Sequence, residues 1–292
     1  LSEFTVPLAV APLVVASLLE KRPALVFTLM LSVLMTAVAE LRAPFVPVAM
    51  MGGVTATYSV SRLRHRWHFV RAFFAIALAN LAAILAWDLA RLSPTHTLLM
   101  DGLAGTLNAF VSTLFAFLML PLVETLFRLT SDVTLLELSD LNRPLLRRMQ
   151  LEAPGTYHHS MVVGSLAEAA AEAIGANSLL ARVSAYYHDI GKLAKPEYYA
   201  ENEPASSRSR HEKLTPSMSA LVVKSHITEG LELARKQRLP GAVRNAIPEH
   251  HGTMVMAFFY HKALELDESA RREDYSYPGP RPRSKETVRT SG

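Results

Sequence analysis

The C-terminal half of this chain carries imidazoles and a carboxylate at spacings that suit cation binding: His158-His159, His188 followed directly by Asp189, His226, and His250-His251. A lone histidine on a helix is usually a capping or core residue. Adjacent His-His and His-Asp pairs on successive helices of one small domain are far less common, and they set these residues apart from His65, His68, His96, His211 and His261. One carboxylate can bridge two cations while neighbouring imidazoles fill the remaining positions. That places two ions roughly 3.5–4 Å apart, close enough to activate one shared water. Mixed imidazole and carboxylate ligation suits two divalent transition metals, iron or manganese first, with zinc also compatible. The absence of cysteine excludes disulfides, thiolate-bound zinc and thiol catalysis.

The elements that must position these side chains are helical. Patterns run over about 158–174 (ended by Gly175), 178–190 (Ser178 as N-cap) and 215–238 (Thr215 as N-cap, Pro216 in the first turn), with shorter helices at about 240–250 and 254–267. No convincing strand alternation occurs, so the domain is expected to be all-α. Residues 268–287, charged and rich in Pro and Gly, read as a loop. The stretch Tyr187-His188-Asp189-Ile190-Gly191-Lys192 ends an apolar helix, and Gly191 is expected to turn the chain sharply and expose the His-Asp pair. Lys192 beside Asp189 is either a phosphate contact by its charge or a solvated helix-end lysine.

The N-terminal half is of another kind. Half of all residues are hydrophobic (50%), and the excess lies before residue 128. Five apolar stretches, 4–19, 23–41, 43–60, 69–92 and 98–127, approach the roughly 20 residues that cross a bilayer, the first being short. Runs such as Leu25-Val26-Phe27-Thr28-Leu29-Met30-Leu31 lack the polar stripe of a soluble bundle. The division is then 1–127 transmembrane helices, 128–152 a polar, helical connector broken before Pro144, and 153–292 a soluble domain. Lys21-Arg22 and Arg62-Leu63-Arg64-His65-Arg66 follow the first and third spans, whereas the opposite loops carry Arg42 or no lysine or arginine. The basic loops therefore face the cytoplasm, and so does the soluble domain. The net charge of +4 is a topology signal on this reading, not a nucleic-acid surface. Asp88 and Asp101 fall near span ends where water is close, Asn80 and Asn108 can hydrogen-bond between helices, and no inverted repeat suggests a transporter.

Several of these segments together resemble the seven-transmembrane HD-domain phosphodiesterases. They are Glu152-Ala153-Pro154-Gly155-Thr156-Tyr157-His158-His159-Ser160, Ala185 to Lys192, Ser225-His226, Glu249-His250-His251-Gly252-Thr253, Tyr277-Pro278-Gly279-Pro280 through Thr287, and Leu120-Pro121-Leu122-Val123-Glu124. The resemblance implies an all-α protein, a polytopic transmembrane helix bundle followed by a cytoplasmic HD domain, in the bacterial inner membrane. It implies hydrolysis of cyclic di-AMP to linear pApA. Carried over by position, His159, His188 and Asp189 would hold one ion and His226, His250 and His251 the other, with Asp189 bridging. His158 is then a neighbour, because the family pattern uses the second histidine of that pair. Asp189 and Lys192 are the expected catalytic residues, Lys192 also touching substrate. The expected partners are a cyclic dinucleotide and the bilayer, with no nucleic-acid polymer, and a homo-oligomer is compatible.

The chain departs from the family at both ends. Members carry a further first span, an extracytoplasmic domain, and a closing Asp about two positions beyond Gly292. Without that Asp the chain is expected to be poorly stable and nearly inactive and to hold at most about one ion, with Asp267 and Asp274 the nearest replacements. Two alternatives remain. One is an HD phosphohydrolase of cyclic di-GMP or a guanosine polyphosphate, disfavoured because no Gly-Tyr-Pro tripeptide occurs and no acidic residues follow His188-Asp189. The other is a membrane receptor that binds the nucleotide without hydrolysing it.

Overall fold

A computed structural model describes residues 2–19, 21–38, 44–60, 67–127, 129–204, 209–267 and 269–288. They are helical with no strand among the described residues, and they divide into two units, Leu1–Thr134 and Leu135–Gly292.

In the first unit, small and polar residues are inside and many large apolar ones outside. Its helices are α1 (Val10–Leu18), α2 (Lys21–Val38), α3 (Phe45–Val60), α4 (Trp67–Ala90) and α5 (Thr95–Phe127). Ala24, Thr28 and Ser32 of α2 are buried, as are Gly52, Gly53 and Ala56 of α3 and Ala109, Ser112 and Ala116 of α5. Met30, Phe74, Leu78, Leu103 and Leu118 point outward. Water would penalise that arrangement. Lipid does not, and small residues let helix backbones approach closely. A side chain on Gly53 would overlap Thr28, and one on Gly52 would overlap Asn80.

Helices α2, α4 and α5 are long and apolar enough to cross a membrane; α1 and α3 are shorter. The stretch expected as a span over 4–19 is broken, with a 3-10 turn at Glu3–Thr5 and only nine residues in α1. Asn108 Nδ2 donates to the carbonyls of Phe4 and Val6, satisfying polar backbone where the helix is interrupted. Asn80 donates to the Gly105 carbonyl at 3.1 Å, joining α4 to α5. Asp88 and Asp101, expected near water, are buried, and Ser93 Oγ lies 3.3 Å from Asp88 Oδ1. Arg42 and the basic run at 62–66 lie outside the described residues.

The second unit begins inside the segment expected as a connector. Helix α6 (Asp132–Leu138) precedes α7 (Pro144–Glu152), with Pro144 opening the latter as expected. Leu135, Leu138, Leu145, Leu146 and Met149 are not linker residues. They form one core with Val183, Tyr187, Ile190, Val243 and Ile247, and the Tyr187 hydroxyl donates to the Leu138 carbonyl at 2.8 Å. Helices α8 (Pro154–Ala173), α9 (Ser178–Tyr187), α10 (Pro216–Lys236), α11 (Gly241–Arg244), α12 (Ala246–Glu249), α13 (Ala257–Leu264) and α14 (Lys285–Val288) complete it.

Thr215 caps α10 as expected, its hydroxyl accepting from Met218 N. The N-cap of α9 is Asn177, not Ser178: the Asn177 side chain accepts from Leu180 N. Gly175, at φ +66°, ends α8 in the left-handed region. The described part of the segment expected as a loop, 269–287, is largely irregular but is tied down by Met256 N to Tyr275 O and Tyr277 N to Met254 O, both 2.9 Å. Tyr275 and Tyr277 are buried beside Ile227 and Met256.

Candidate metal centre

Two helix faces and two helix ends bring the imidazoles together. Helix α9 ends at Tyr187, and His188 and Asp189 follow, both buried. Burial corrects the expectation that Gly191 exposes this pair. Gly191 is not in the left-handed region; a side chain there would overlap the His226 carbonyl, so glycine is needed for close approach of the 3-10 turn Ile190–Ala194 to α10. That contact sets the His188-Asp189 step against His226 in the middle of α10. His250 and His251 follow α12, and His159 projects from the first turns of α8.

The helix backbones orient the rings. His188 Nδ1 lies 2.6 Å from the Ala185 carbonyl, His250 Nδ1 2.7 Å from the Ile247 carbonyl, and His226 Nδ1 also faces a carbonyl three residues back, that of Val223. A carbonyl can only accept, so each Nδ1 carries the proton and each Nε2 presents a lone pair. Those lone pairs converge on Asp189. Its Oδ1 lies 3.6 Å from His226 Nε2 and 3.4 Å from His250 Nε2; its Oδ2 lies 3.2 Å from His188 Nε2 and 4.0 Å from His159 Nε2. His226 Nε2 and His250 Nε2 are themselves 3.4 Å apart.

Two ligand sets result, Asp189 with His226, His250 and His251, and Asp189 with His159 and His188, the atoms of each within 4.8 Å of one another. Asp189 Oδ1 is buried without a hydrogen-bond donor. A buried anionic oxygen facing imidazole lone pairs is electrostatically unfavourable until a cation stands between them. Ring N–H groups held by backbone carbonyls are also the usual support for metal-binding histidines. The donor set therefore fits divalent cations.

Electrostatics agree with that fit. Burial pushes His226 down to about 4, and burial with the neighbouring His250 and His226 pushes His251 down to about 2, so both rings stay neutral. Burial also lowers His159. For His188 burial works downward, but the Asp189 carboxylate outweighs it and raises the ring's pKa. Burial alone would raise the Asp189 carboxyl; His188 and Lys192 overcome it and hold it well below the usual carboxylate range.

Lys192 is not a solvated helix-end lysine. Its Nζ lies 2.8 Å from Asp189 Oδ2 and 2.7 Å from Glu201 Oε1, 5.1 Å from the centre of the Tyr199 ring. Burial disfavours its charge, yet Asp189 and Glu201 prevail and raise its pKa. Glu201 also accepts from Thr156 Oγ1 at 3.0 Å, and Asn202 Oδ1 accepts from Thr156 N at 3.0 Å, so the turn Ala200–Asn202 caps the start of α8 near His159.

His158 is exposed and belongs to neither set. Among the other histidines, His211 Nε2 lies against the Tyr198 carbonyl, His261 is exposed, and His65 lies outside the described residues. Asp267 bonds Ser269, and Asp274 gives its carbonyl to Lys224; neither is in a ligand set. Sequence reasoning missed Glu201, Asn202, Tyr199 and Tyr277, which arrive from turns. It also passed over Glu249, which lies in the quoted Glu249-His250-His251 motif: it is buried, and its Oε2 accepts from Arg283 N at 3.2 Å. Next to His250 and His251 a cavity of about 400 Å³ opens, lined also by Thr253, Met254, Arg281 and Pro282.

Comparison with known proteins places both halves. Residues 2–131 match the family described as 7TM receptor with intracellular HD hydrolase, and residues 156–288 match the HD domain family. Over 241 residues the chain is 37% identical to the cyclic-di-AMP phosphodiesterase PgpH of Bacillus subtilis, covering 82% of this chain and 34% of that protein. It is 35% identical over 290 residues to PgpH of Listeria monocytogenes, covering 97% of this chain and 40% of that one. The chain thus spans about a third to two-fifths of the length of these curated relatives. The crystal structure of the L. monocytogenes PgpH HD domain in complex with cyclic-di-AMP aligns with a TM-score of 0.50 at 42% identity, covering 52% of this chain and 71% of that one.

Proposed function

The chain belongs to the family of 7TM receptors with an intracellular HD hydrolase, and we propose that it is a membrane-bound phosphodiesterase that opens cyclic di-AMP to linear pApA. The observation that carries this reading is the division of Asp189: Oδ1 faces His226 and His250, while Oδ2 faces His188 and His159. One carboxylate serving two imidazole groups is what a bridged pair of cations requires.

In this proposal His159, His188 and Asp189 hold one divalent cation, and His226, His250, His251 and Asp189 hold the second. Iron or manganese suits the donor set best. When bound, such a pair would supply Lewis acidity toward the phosphoryl oxygens and a water of lowered pKa. The chain's own residues do the rest. Asp189 stays ionised between the two positions, and the depressed pKa values of His226 and His251 keep their lone pairs free. Lys192, held protonated, offers a charge-assisted hydrogen bond to a phosphate oxygen. The cavity beyond His250 and His251 gives a nucleotide room, with the exposed Arg281 at its edge as a second positive group. No protein nucleophile is required.

Adenine as the base rests on the relatives named cyclic-di-AMP phosphodiesterases. The first unit, with its outward-facing apolar side chains, sits in the bacterial cytoplasmic membrane on this reading, and the basic loops put the HD domain on the cytoplasmic side. The test is a hydrolysis panel on detergent-solubilised chain with manganese, comparing cyclic di-AMP, cyclic di-GMP and guanosine tetraphosphate. Fastest release of pApA supports the proposal. Faster opening of cyclic di-GMP overturns the base assignment, and tight binding without turnover favours a receptor.

A further inference from the structure

The segment from Tyr277 to Thr287 is long, distinctive and unexplained by the ligand sets. Its first residue points to a role. The Tyr277 ring stacks on His251, centroids 4.0 Å apart and planes 15° from parallel, and it meets His226 edge-on at 6.2 Å. His251 differs from the other buried imidazoles. His188, His226 and His250 each have Nδ1 fixed by a carbonyl of their own helix, whereas neither ring nitrogen of His251 makes a hydrogen bond among the described residues. His251 lies just past the end of α12 and is half-buried. Its ring has 4.0 Å contacts on two sides, His250 tilted at 44° and Tyr277 nearly parallel.

We propose that Tyr277 is a positioning residue for the three-imidazole cation site, its ring fixing the plane of His251 in place of the hydrogen bond the other ligands have. The proposal rests on the two-cation reading above. The segment that carries Tyr277 is itself anchored. Tyr277 N donates to Met254 O, Met256 N donates to Tyr275 O, Val255 bridges to Ser276, and further along Arg283 N donates to the carboxylate of Glu249, the residue preceding His250. The chain that leaves the histidine pair at Gly252 and the chain that returns at Tyr277 therefore form one frame, and the ring is delivered by backbone contacts on both sides. An aliphatic side chain of similar bulk would fill the space but would leave the imidazole free to turn about its Cβ–Cγ bond.

The experiment is a manganese titration of the full chain in detergent, following free Mn(II) by electron paramagnetic resonance, for wild type, Tyr277→Phe, Tyr277→Leu, His251→Ala and the Tyr277→Leu/His251→Ala double variant. Tyr277→Phe should bind as wild type does. Tyr277→Leu should weaken the ion that His251→Ala weakens, by roughly ten-fold or more, the usual scale for losing a ligand's support. In the His251→Ala background Tyr277→Leu should add nothing, because its effect passes through that ring. Unchanged binding in Tyr277→Leu, or a loss that persists in the double variant, overturns the proposal. Wild type that binds no manganese, with His251→Ala indistinguishable from it, instead overturns the two-cation reading beneath it.

Discussion

The ammonium of Lys192 lies 2.8 Å from Oδ2 of Asp189, on the carboxylate oxygen that His188 faces at 3.2 Å. The same ammonium reaches Glu201, so two carboxylates share one half-buried cation of the protein's own. In the metal-free protein, Lys192 supplies charge that a bound ion would otherwise supply.

Lys192→Met should therefore separate stability from chemistry. Methionine keeps most of the apolar stem and removes the charge, leaving Asp189 buried without its lysine partner. Metal-free protein should lose about 3 kcal/mol, the scale for breaking a buried ion pair, and added manganese should return part of it. Turnover should fall roughly ten-fold or more even when metal is saturating, because a charge-assisted phosphate contact is gone. Urea melts with and without metal, beside steady-state rates, check this; equal metal-free stability would remove Lys192 from the account.

Asp189→Asn should abolish binding at both cation positions, since one carboxylate faces both imidazole groups. His226→Ala should weaken mainly one. Elemental analysis after gel filtration distinguishes them. An Asp189→Asn protein that keeps an ion would show that the bridge is not shared.

The metal-free fold should be sensitive to acid. His226 at about 4 and His251 at about 2 lie below the ordinary imidazole value near 6.5. The unfolded chain thus takes up protons that the folded chain refuses. Stability from these two residues is present above about 6.5 and is lost as pH falls toward the folded values, by about 3 kcal/mol for His226 at 1.36 kcal/mol per unit. His188, whose pKa is raised, runs the other way and offsets part. Thermal melts of chelator-treated protein between pH 7.5 and 4.5 should show a falling midpoint that His226→Leu flattens. A midpoint independent of pH would contradict it.

Gly191→Ala should be among the most damaging small substitutions in the second unit. A methyl group there overlaps the His226 carbonyl, a backbone atom that cannot rotate away. A loss of about 2–3 kcal/mol is expected, with cation affinity falling as well because the helix that moves carries a ligand. Gly175→Ala meets nothing within 4 Å, so its cost comes from its φ of +66° alone and should leave metal binding unchanged. Denaturation midpoints and metal content of the two variants provide the contrast.

What was legible in the sequence was what is local. Apolar runs without a polar stripe mark the first unit, and the paired His-His and His-Asp residues mark the two candidate ligand sets. Residues 128–152 read as a linker because their composition is polar, although Leu135 and Leu138, then Leu145, Leu146 and Met149, fall at three- and four-residue intervals and form a buried face. The role of Gly191 was misread because a close approach between chain segments leaves the same residue type as a sharp turn. Tyr277 and Glu249 lie in motifs that the sequence singles out without indicating what these two residues contact, and Glu201 lies in none. Each acts where the path of the chain returns from afar, and periodicity does not report that path.

The contact between Gly191 and the His226 carbonyl has one further consequence. Because backbone meets backbone there with no side chain between, the separation of the His188-Asp189 step from α10 works as a fixed gauge. A cation of different radius held across that contact would be met by rotation of the His188, His226 and Asp189 side chains, whereas His159, His250 and His251 stand on other elements. Under the proposed two-cation reading, discrimination among divalent metals across this contact would depend on how tightly His188 and His226 are held by the carbonyls of Ala185 and Val223.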